Sequence, residues 1–415
     1  MARNRKIKTY KKIYSEPNGP FSSPLGVVAM ALGLVLVTII GWSAYGPVYH
    51  FVMGIGEKSS EASSPSGAVS DPGDASGASV SGVDGDDTAA PPQPAGIDSL
   101  RAVYMPAQYA SDLNRVDAFL NALPAGSYDT VIVDVKDSSG KIYYKSAVEL
   151  AVKAEAVATQ ALDASVLSAR IRGAGYRPAA RMHAFSDHMV SAYDWKAAVM
   201  YMNTDWTWLD NSAELGGKPW LSPYSDTAQN YVIDIASELA QGGFEFILVD
   251  SVHFPTGVGI EKAGYGEAGQ RTSRLDQLKA FANRMAQAVE RAGGQCALYI
   301  PATSILSPSD LIYGGNPLDI HSGTVVVGMM PGTLLAGSNI GGTVVANPMG
   351  DPAGTVSALF GLVPEAAHGR TVAWLQGYNA DGTAAETSFV AAQVRGVPGD
   401  AQGYIVYNPQ GSYKK

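Results

Sequence analysis

From residue 98 onward, short apolar runs rich in β-branched residues alternate with amphipathic stretches of helical period, the pattern of parallel strands joined by crossover helices. Eight runs predict strands, at residues 102–105, 130–135, 177–184, 246–252, 296–301, 324–330, 371–378 and 403–408. The clearest helical stretches are 113–123, 164–174, 228–241, 274–292 and 386–394. Ser273, with Asp276 three residues on, and Ser307, followed by Pro308, Ser309 and Asp310, read as helix starts, because a side-chain oxygen there can take an amide that the first turn leaves unpaired. Gly173, Gly175, Gly242 and Gly293 read as stops. Near-continuous strands such as TVIVDV and FEFILVD imply burial on both faces of the sheet. Eight such units in about 300 residues predict an α/β fold, a (β/α)8 barrel of TIM type. The alternative, an open doubly wound sheet, calls for a glycine-rich phosphate loop after the first strand, and the sequence has none there.

Before residue 98 the pattern changes. Residues 25–42, LGVVAMALGLVLVTIIGW, are uncharged and mostly apolar, and extended to residue 46 they reach the roughly 20 residues that cross a hydrocarbon core. A cleaved signal peptide is the competing reading, but its apolar region is shorter and ends in small residues. Trp42, Tyr45 and Tyr49 favour an uncleaved anchor with an aromatic belt at its outer end. Six Lys/Arg against Glu16 give residues 1–24 a charge of +5, and such a flank stays cytoplasmic. Residues 47–97 read as a Ser/Gly/Asp/Pro linker; its 57–97 portion carries −6 and no aromatic residue, too little apolar surface to offset the entropy of ordering. The expected organisation is a basic cytoplasmic tail (1–24), a single transmembrane signal anchor in the lipid bilayer (25–46), a disordered linker (47–97) and an extracellular barrel (98–415).

The whole-chain charge of −9 therefore leaves −8 on residues 98–415, which argues against nucleic acid as a partner because phosphate binding needs a clustered basic face. One cysteine, Cys296, excludes an intramolecular disulfide and a Cys-cluster zinc site.

Barrel chemistry belongs at the strand ends, so polar residues there are the candidates. The second strand ends in Asp134, Val135, Lys136 and Asp137, and the fourth in Asp250, Ser251, Val252 and His253. A carboxylate after VIV or ILV is costly to bury unless paired or used. Asp134 and Lys136 share a face by the period-two rule and are expected to pair if Asp134 is structural. Trp374, Gln376 and Tyr378 share a face of the seventh strand, and Asn408 closes the eighth. Aromatic faces with amides and carboxylates suit a sugar ring, which offers C–H faces to stack on and hydroxyls to bond. The stretch 205–224, with Trp206, Trp208 and Trp220, exceeds a simple connection and is expected to supply cleft platforms. His183, Asp187, His188 and His253 match no established metal-ligand spacing, so no metal or cofactor is expected.

Several ordered motifs carry a resemblance. VIVDVKDSSGKIYY at 131–144, ARMHAFSD at 180–187, Trp208 with PWLSPY at 219–224, YVIDIASELAQGGFEFILVDSVHFP at 231–255, WLQGY at 374–378, AAQVRG at 391–396 and YIVYNPQGSY at 404–413 resemble those of the bacterial glycoside-hydrolase-like domains related to alpha-amylase-type barrels, often found behind a membrane anchor. The resemblance implies hydrolysis of an envelope or environmental polysaccharide or oligosaccharide by paired carboxylates, Asp250 and Asp134, one as acid and the other as nucleophile or base. Asp137 and Asp187 are the alternative acids. Substrate contacts are expected from Lys136, Asp137, Arg181, His183, Asp187, Trp208, Trp220, His253, Trp374, Gln376, Tyr378 and Asn408. The chain departs from the family at Ser251, where an aromatic residue is usual, at His253, where arginine is usual, at Glu245-Phe246, across MMPGTL in the sixth strand's loop, and at Gly377. These departures support the alternative of a non-enzymatic carbohydrate-binding or envelope-organising barrel.

Overall fold

The computed structural model describes residues 99–415, and the predicted tail, anchor and linker lie outside them. Among the described residues no helix is long and apolar enough to cross a membrane.

Eight parallel strands form the centre: β1 (Leu100–Met105), β2 (Thr130–Lys136), β3 (Arg177–His183), β4 (Phe246–Asp250), β5 (Gln295–Pro301), β6 (Thr324–Gly328), β7 (Thr371–Gln376) and β8 (Gly403–Tyr407). Each strand pairs with its neighbour in sequence, and β8 returns to β1, so the sheet closes into the expected α/β barrel. The main helices between strands are α1 (Leu113–Ala122), α2 (Ala164–Gly173), α3 (Asp226–Gln241), α4 (Arg274–Arg291), α5 (Pro352–Phe360) and α6 (Thr387–Arg395). All eight predicted runs contain a strand, and the five predicted helices are present. Beyond β2 the chain adds Ile142–Tyr144 antiparallel to it and Val157–Leu162 parallel to that, outside the closed ring.

The period of two in the strands sorts their side chains. In β2, Val131, Val133 and Val135 pack outward against the helices, while Ile132 points into the barrel with Leu100, Ala102, Ala179, Leu248 and Val326. The helices answer with one apolar stripe each. In α4, Leu278, Phe281, Ala282, Met285 and Val289 are buried, and each large side chain contributes about 1.5–3 kcal/mol. Ser273 caps α4 as predicted, accepting from the Asp276 amide at 3.1 Å. Ser307 starts no helix: the Ile312 and Tyr313 amides both donate to the Ser309 carbonyl, and Gly314 and Gly315 then end the turn.

The expected pairing of Lys136 with Asp134 does not form. The β2–β3 register shifts between Asp134 and Lys136, so Lys136 stands opposite Met182, an outward residue, and leaves the barrel interior. Its ammonium instead meets Asp187 Oδ2 at 2.9 Å, both side chains fully buried, and donates to the His183 carbonyl at 2.8 Å. Asp187 also accepts from the Val190 amide, capping Glu-free helix His188–Tyr193, and from the Tyr231 hydroxyl at 3.1 Å. Gly140 allows this approach, since a Cβ there would lie 2.1 Å from Asp187 Oδ1 and its φ is +93°. Asp187→Ala leaves an ammonium buried without its charge partner, and chemical denaturation is expected to show a loss of about 3–5 kcal/mol; a loss under 1 kcal/mol would contradict this account.

Candidate active site

The inward face of the barrel changes from aliphatic to charged and aromatic at the C-terminal ends of the strands. In register, Asp134 of β2 stands beside Arg181 of β3, and His183 beside Asp250 of β4. The Arg181 guanidinium bridges the two carboxylates, Nη1 donating to Asp134 Oδ1 at 3.2 Å and Nη2 to Asp250 Oδ2 at 2.6 Å. The Tyr104 hydroxyl of β1 donates to the other Asp134 oxygen at 2.8 Å. β4 ends because Ser251 takes a φ of +57°, rare for a residue with a Cβ, which turns its amide back onto Asp250 Oδ1 at 2.5 Å. The Ser251 hydroxyl lies 2.8 Å from His183 Nδ1.

An aromatic cluster completes this layer. The Trp374 ring lies 5.0 Å from Tyr407, 5.5 Å from Tyr299 and 6.0 Å from Tyr104, with the Arg181 guanidinium 5.8 Å from its centroid. Tyr299, which pairs with Val326 of β6, extends its ring over Gly328 two residues further on; a Cβ there would meet the Tyr299 oxygen at 2.4 Å. The side chains of Asp134, Arg181 and Asp250 keep 11–14% of their surface open.

Burial and charge set the two carboxylates apart. Burial pushes Asp134 up, and Arg181 and the Tyr104 hydroxyl offset this only in part. Burial acts on Asp250 in the same direction, but the charge and hydrogen bond of Arg181 oppose it, and Asp250 is held below the usual range. Burial, then the nearby Arg181 charge, lowers His183 to about 3, so its ring stays neutral. Burial and the Asp134 charge raise Tyr104, which stays protonated and able to donate. Arg181 Nε is buried with no hydrogen-bond partner among the described residues.

Of the predicted site residues, Asp134, Arg181, His183, Asp250 and Trp374 converge at this point. His253 lies beside them, its ring between Trp220 at 5.9 Å and Tyr313 at 5.5 Å and its Nδ1 2.7 Å from the Phe254 carbonyl. Tyr378 stacks edge-on to Tyr407 at 6.0 Å. The others build the walls. Asp137 closes the turn after β2, accepting from Ser139, Lys141 and Tyr143. Gln376 joins two loops, accepting from the Gly332 amide and donating to the Tyr378 carbonyl. Asn408 is fully buried and donates to the Gly377 and Ser412 carbonyls. Trp208 and Trp220 are the core of the insertion, their indole N–H groups bonded to the Gly259 carbonyl and to Asp210. Lys136 and Asp187 form the buried pair outside the barrel interior. Among the described residues no three His, Cys, Asp or Glu side chains are grouped to hold a metal. Burial pushes the Cys296 thiol up to about 12, which leaves it no nucleophile. Tyr104, Tyr299 and Tyr407 escaped the sequence reading, although each sits at an inward position of a predicted strand.

A family model described as "Putative glycosyl hydrolase domain" matches residues 102–413. Among solved structures, the PgaB (BpsB) glycoside hydrolase domain from Bordetella bronchiseptica is similar with a TM-score of 0.51 and 16% identity, over 74% of this chain and 94% of that one, a likeness of fold. A hypothetical protein from Ruminiclostridium thermocellum gives a TM-score of 0.41 at 20% identity, over 47% of this chain and 96% of that one. Ega3 from Aspergillus fumigatus, solved with galactosamine, gives 0.39 at 12% identity, over 79% and 98%. No curated protein sequence matches. With the family model spanning nearly the whole barrel, this chain belongs to the glycosyl hydrolase domain family so described.

Proposed function

We propose that the barrel hydrolyses a glycosidic bond in an extracellular or cell-envelope polysaccharide, with Asp134 as the acid and Asp250 as the ionised carboxylate. The anchor over 25–46 would hold it at the cell membrane, its N-terminus cytoplasmic and residues 98–415 outside. The observation that carries the reading is the pair of inward carboxylates on β2 and β4, bridged by one guanidinium, with Asp134 shifted up and Asp250 shifted down. The facing oxygens are at most roughly 8 Å apart across that guanidinium, below the upper limit of about 9.5 Å for glycosidase carboxylates. Asp134 would give its proton to the glycosidic oxygen as the C–O bond breaks. Asp250 would balance the cationic charge growing on the sugar, and water would supply the hydroxyl to the sugar and a proton back to Asp134.

One feature of the same site favours the second reading, a barrel that binds glycan without cleaving it. The Arg181 guanidinium occupies the space between the carboxylates, and it must move, or the sugar must approach above it, for both to reach one bond. Turnover decides between the two. On a panel of soluble oligosaccharides the parent chain is expected to cleave at least one member, with Asp134→Asn lowering kcat by about 10²–10⁴-fold and Asp250→Asn by at least as much. Binding by the parent with no turnover of any member would leave the binding module.

The pH profile tests the roles. Asp250 must be ionised, so kcat/KM falls as pH drops through its lowered pKa; Asp134 must be protonated, so kcat/KM falls as pH rises through its raised one. Arg181→Met removes a cation that favours both ionised forms, and both limbs are expected to move to higher pH. The acid limb should move further, because the bond to Asp250 is the shorter. Unmoved limbs with lowered stability would make Arg181 a packing residue only.

A further inference from the structure

The insertion between β3 and β4 and the loop after β4 fold together into one small unit. Val199, Trp208, Trp220 and Ala263 form its core, with Tyr201 and Tyr265 packed against them and Trp220 against His253 on the barrel side. That core accounts for two tryptophans. Two more in the same segment are left in water: Trp206 is 77% exposed and Trp195 60%, with Tyr193 and Met202 also largely exposed. Leaving two indoles in solvent forgoes the burial that stabilises their neighbours.

Next to them is a groove of about 730 Å³, a size suited to a small ligand or a short stretch of polymer. It runs along the two-stranded ribbon of Met200–Tyr201 and Ala263–Gly264. Tyr201, Tyr224 and Tyr265 supply its aromatic surface; Trp195 and Trp206 are outside its lining, as the chain neighbours of the lining residues Lys196 and Asp205. The side chains of Asn203, Asp205 and Gln270 line it without a hydrogen bond to any described residue, and the Lys196 ammonium has only the Trp195 ring, 5.9 Å away. Asn203 holds a φ of +62° at the tip of the hairpin, where the Tyr201 amide donates to the Trp206 carbonyl. The Tyr265 hydroxyl is buried in the groove wall with no hydrogen-bond partner among the described residues.

The chemistry of this lining selects among occupants. One ammonium and one carboxylate cancel, so the groove has no charge with which to draw nucleic acid or an anionic lipid surface. Flat aromatic faces beside unpaired amide, carboxylate and ammonium groups match the C–H faces and hydroxyls of an uncharged sugar chain. We propose that this groove is a second, non-catalytic saccharide site, with Trp206 and Trp195 as stacking platforms and Asn203, Asp205 and Gln270 as hydroxyl partners. The proposal rests on the glycan reading of the barrel only for the class of ligand; the site would hold a polymer while the strand ends act on it.

Affinity electrophoresis tests it. The full chain, in a detergent without a sugar head group, is run through gels containing laminarin, soluble starch, hydroxyethyl cellulose or glycol chitin. At least one polymer is expected to retard the parent and the Asp250→Asn variant equally, and Trp206→Ala and Trp195→Ala are expected to weaken that retardation by roughly three- to tenfold each. Cleavage of a short soluble oligosaccharide should be unchanged in both tryptophan variants. Both substitutions are at exposed positions, and near-UV circular dichroism checks that the fold is kept. The proposal is overturned if no polymer retards the parent, if retardation survives both tryptophan changes, or if Trp206→Ala instead dissociates an oligomer by light scattering. Tryptophan-dependent retardation without any cleavage overturns the hydrolase reading alone, and cleavage without it overturns this proposal alone.

Discussion

A positive charge inside the barrel is what allows two aspartates to stand there. Asp134 and Asp250 project from β2 and β4 into a space otherwise filled by aliphatic and aromatic side chains, where an unpaired carboxylate would be neutralised or expelled. Arg181, on the strand between them, meets both with one planar group, a geometry that lysine does not reproduce. It also lies over Trp374, so the aromatic layer and the charged layer are one assembly. The opposite shifts of the two aspartates follow from unequal shares of that guanidinium, and the Ser251 amide, turned onto Asp250 alone, favours its ionised form.

Two of the departures that the resemblance implies, Ser251 and His253, stand in or beside the same assembly. Ser251 replaces a usual aromatic residue and takes a left-handed backbone conformation, from which its hydroxyl reaches His183. His253 replaces a usual arginine and fills the space between Trp220 and Tyr313. With the arginine absent from the end of β4, Arg181 of β3 is the guanidinium that contacts Asp250. These positions are therefore occupied by groups that satisfy one another, which explains how the strand end keeps its carboxylate without the usual neighbours.

The second buried ion pair does a different task. Lys136 and Asp187 lie outside the ring of strands, tied to the His183 carbonyl, the Val190 amide and Tyr231 of α3. The pair thereby links the end of β2 to the loop after β3 and to a helix. Because β2 carries an irregularity between Asp134 and Lys136, one strand end sends a carboxylate inward to the site and an ammonium outward to the scaffold.

The alternation of apolar runs and amphipathic stretches determined the eight strands and five of the helices, and with them the place of Asp134 and Asp250 at strand ends, because strand and helix periods are local properties of the chain. Helix α5 escaped the sequence reading: PAGTVSALF has no amphipathic stripe, although Asp351 caps it on the Gly354 amide, Pro352 stands in its first turn, and Val356, Leu359 and Phe360 are buried with β6 and β7 residues. The ligand partners were likewise beyond a local reading. Period two placed Lys136 beside Asp134, whereas one register shift sent it to Asp187; the tryptophans of the insertion divided into core and surface only once the segment folded on itself. Which charge meets which, and which indole meets water, depends on distances between strands that are far apart in sequence, and those are decided by the closure of the barrel.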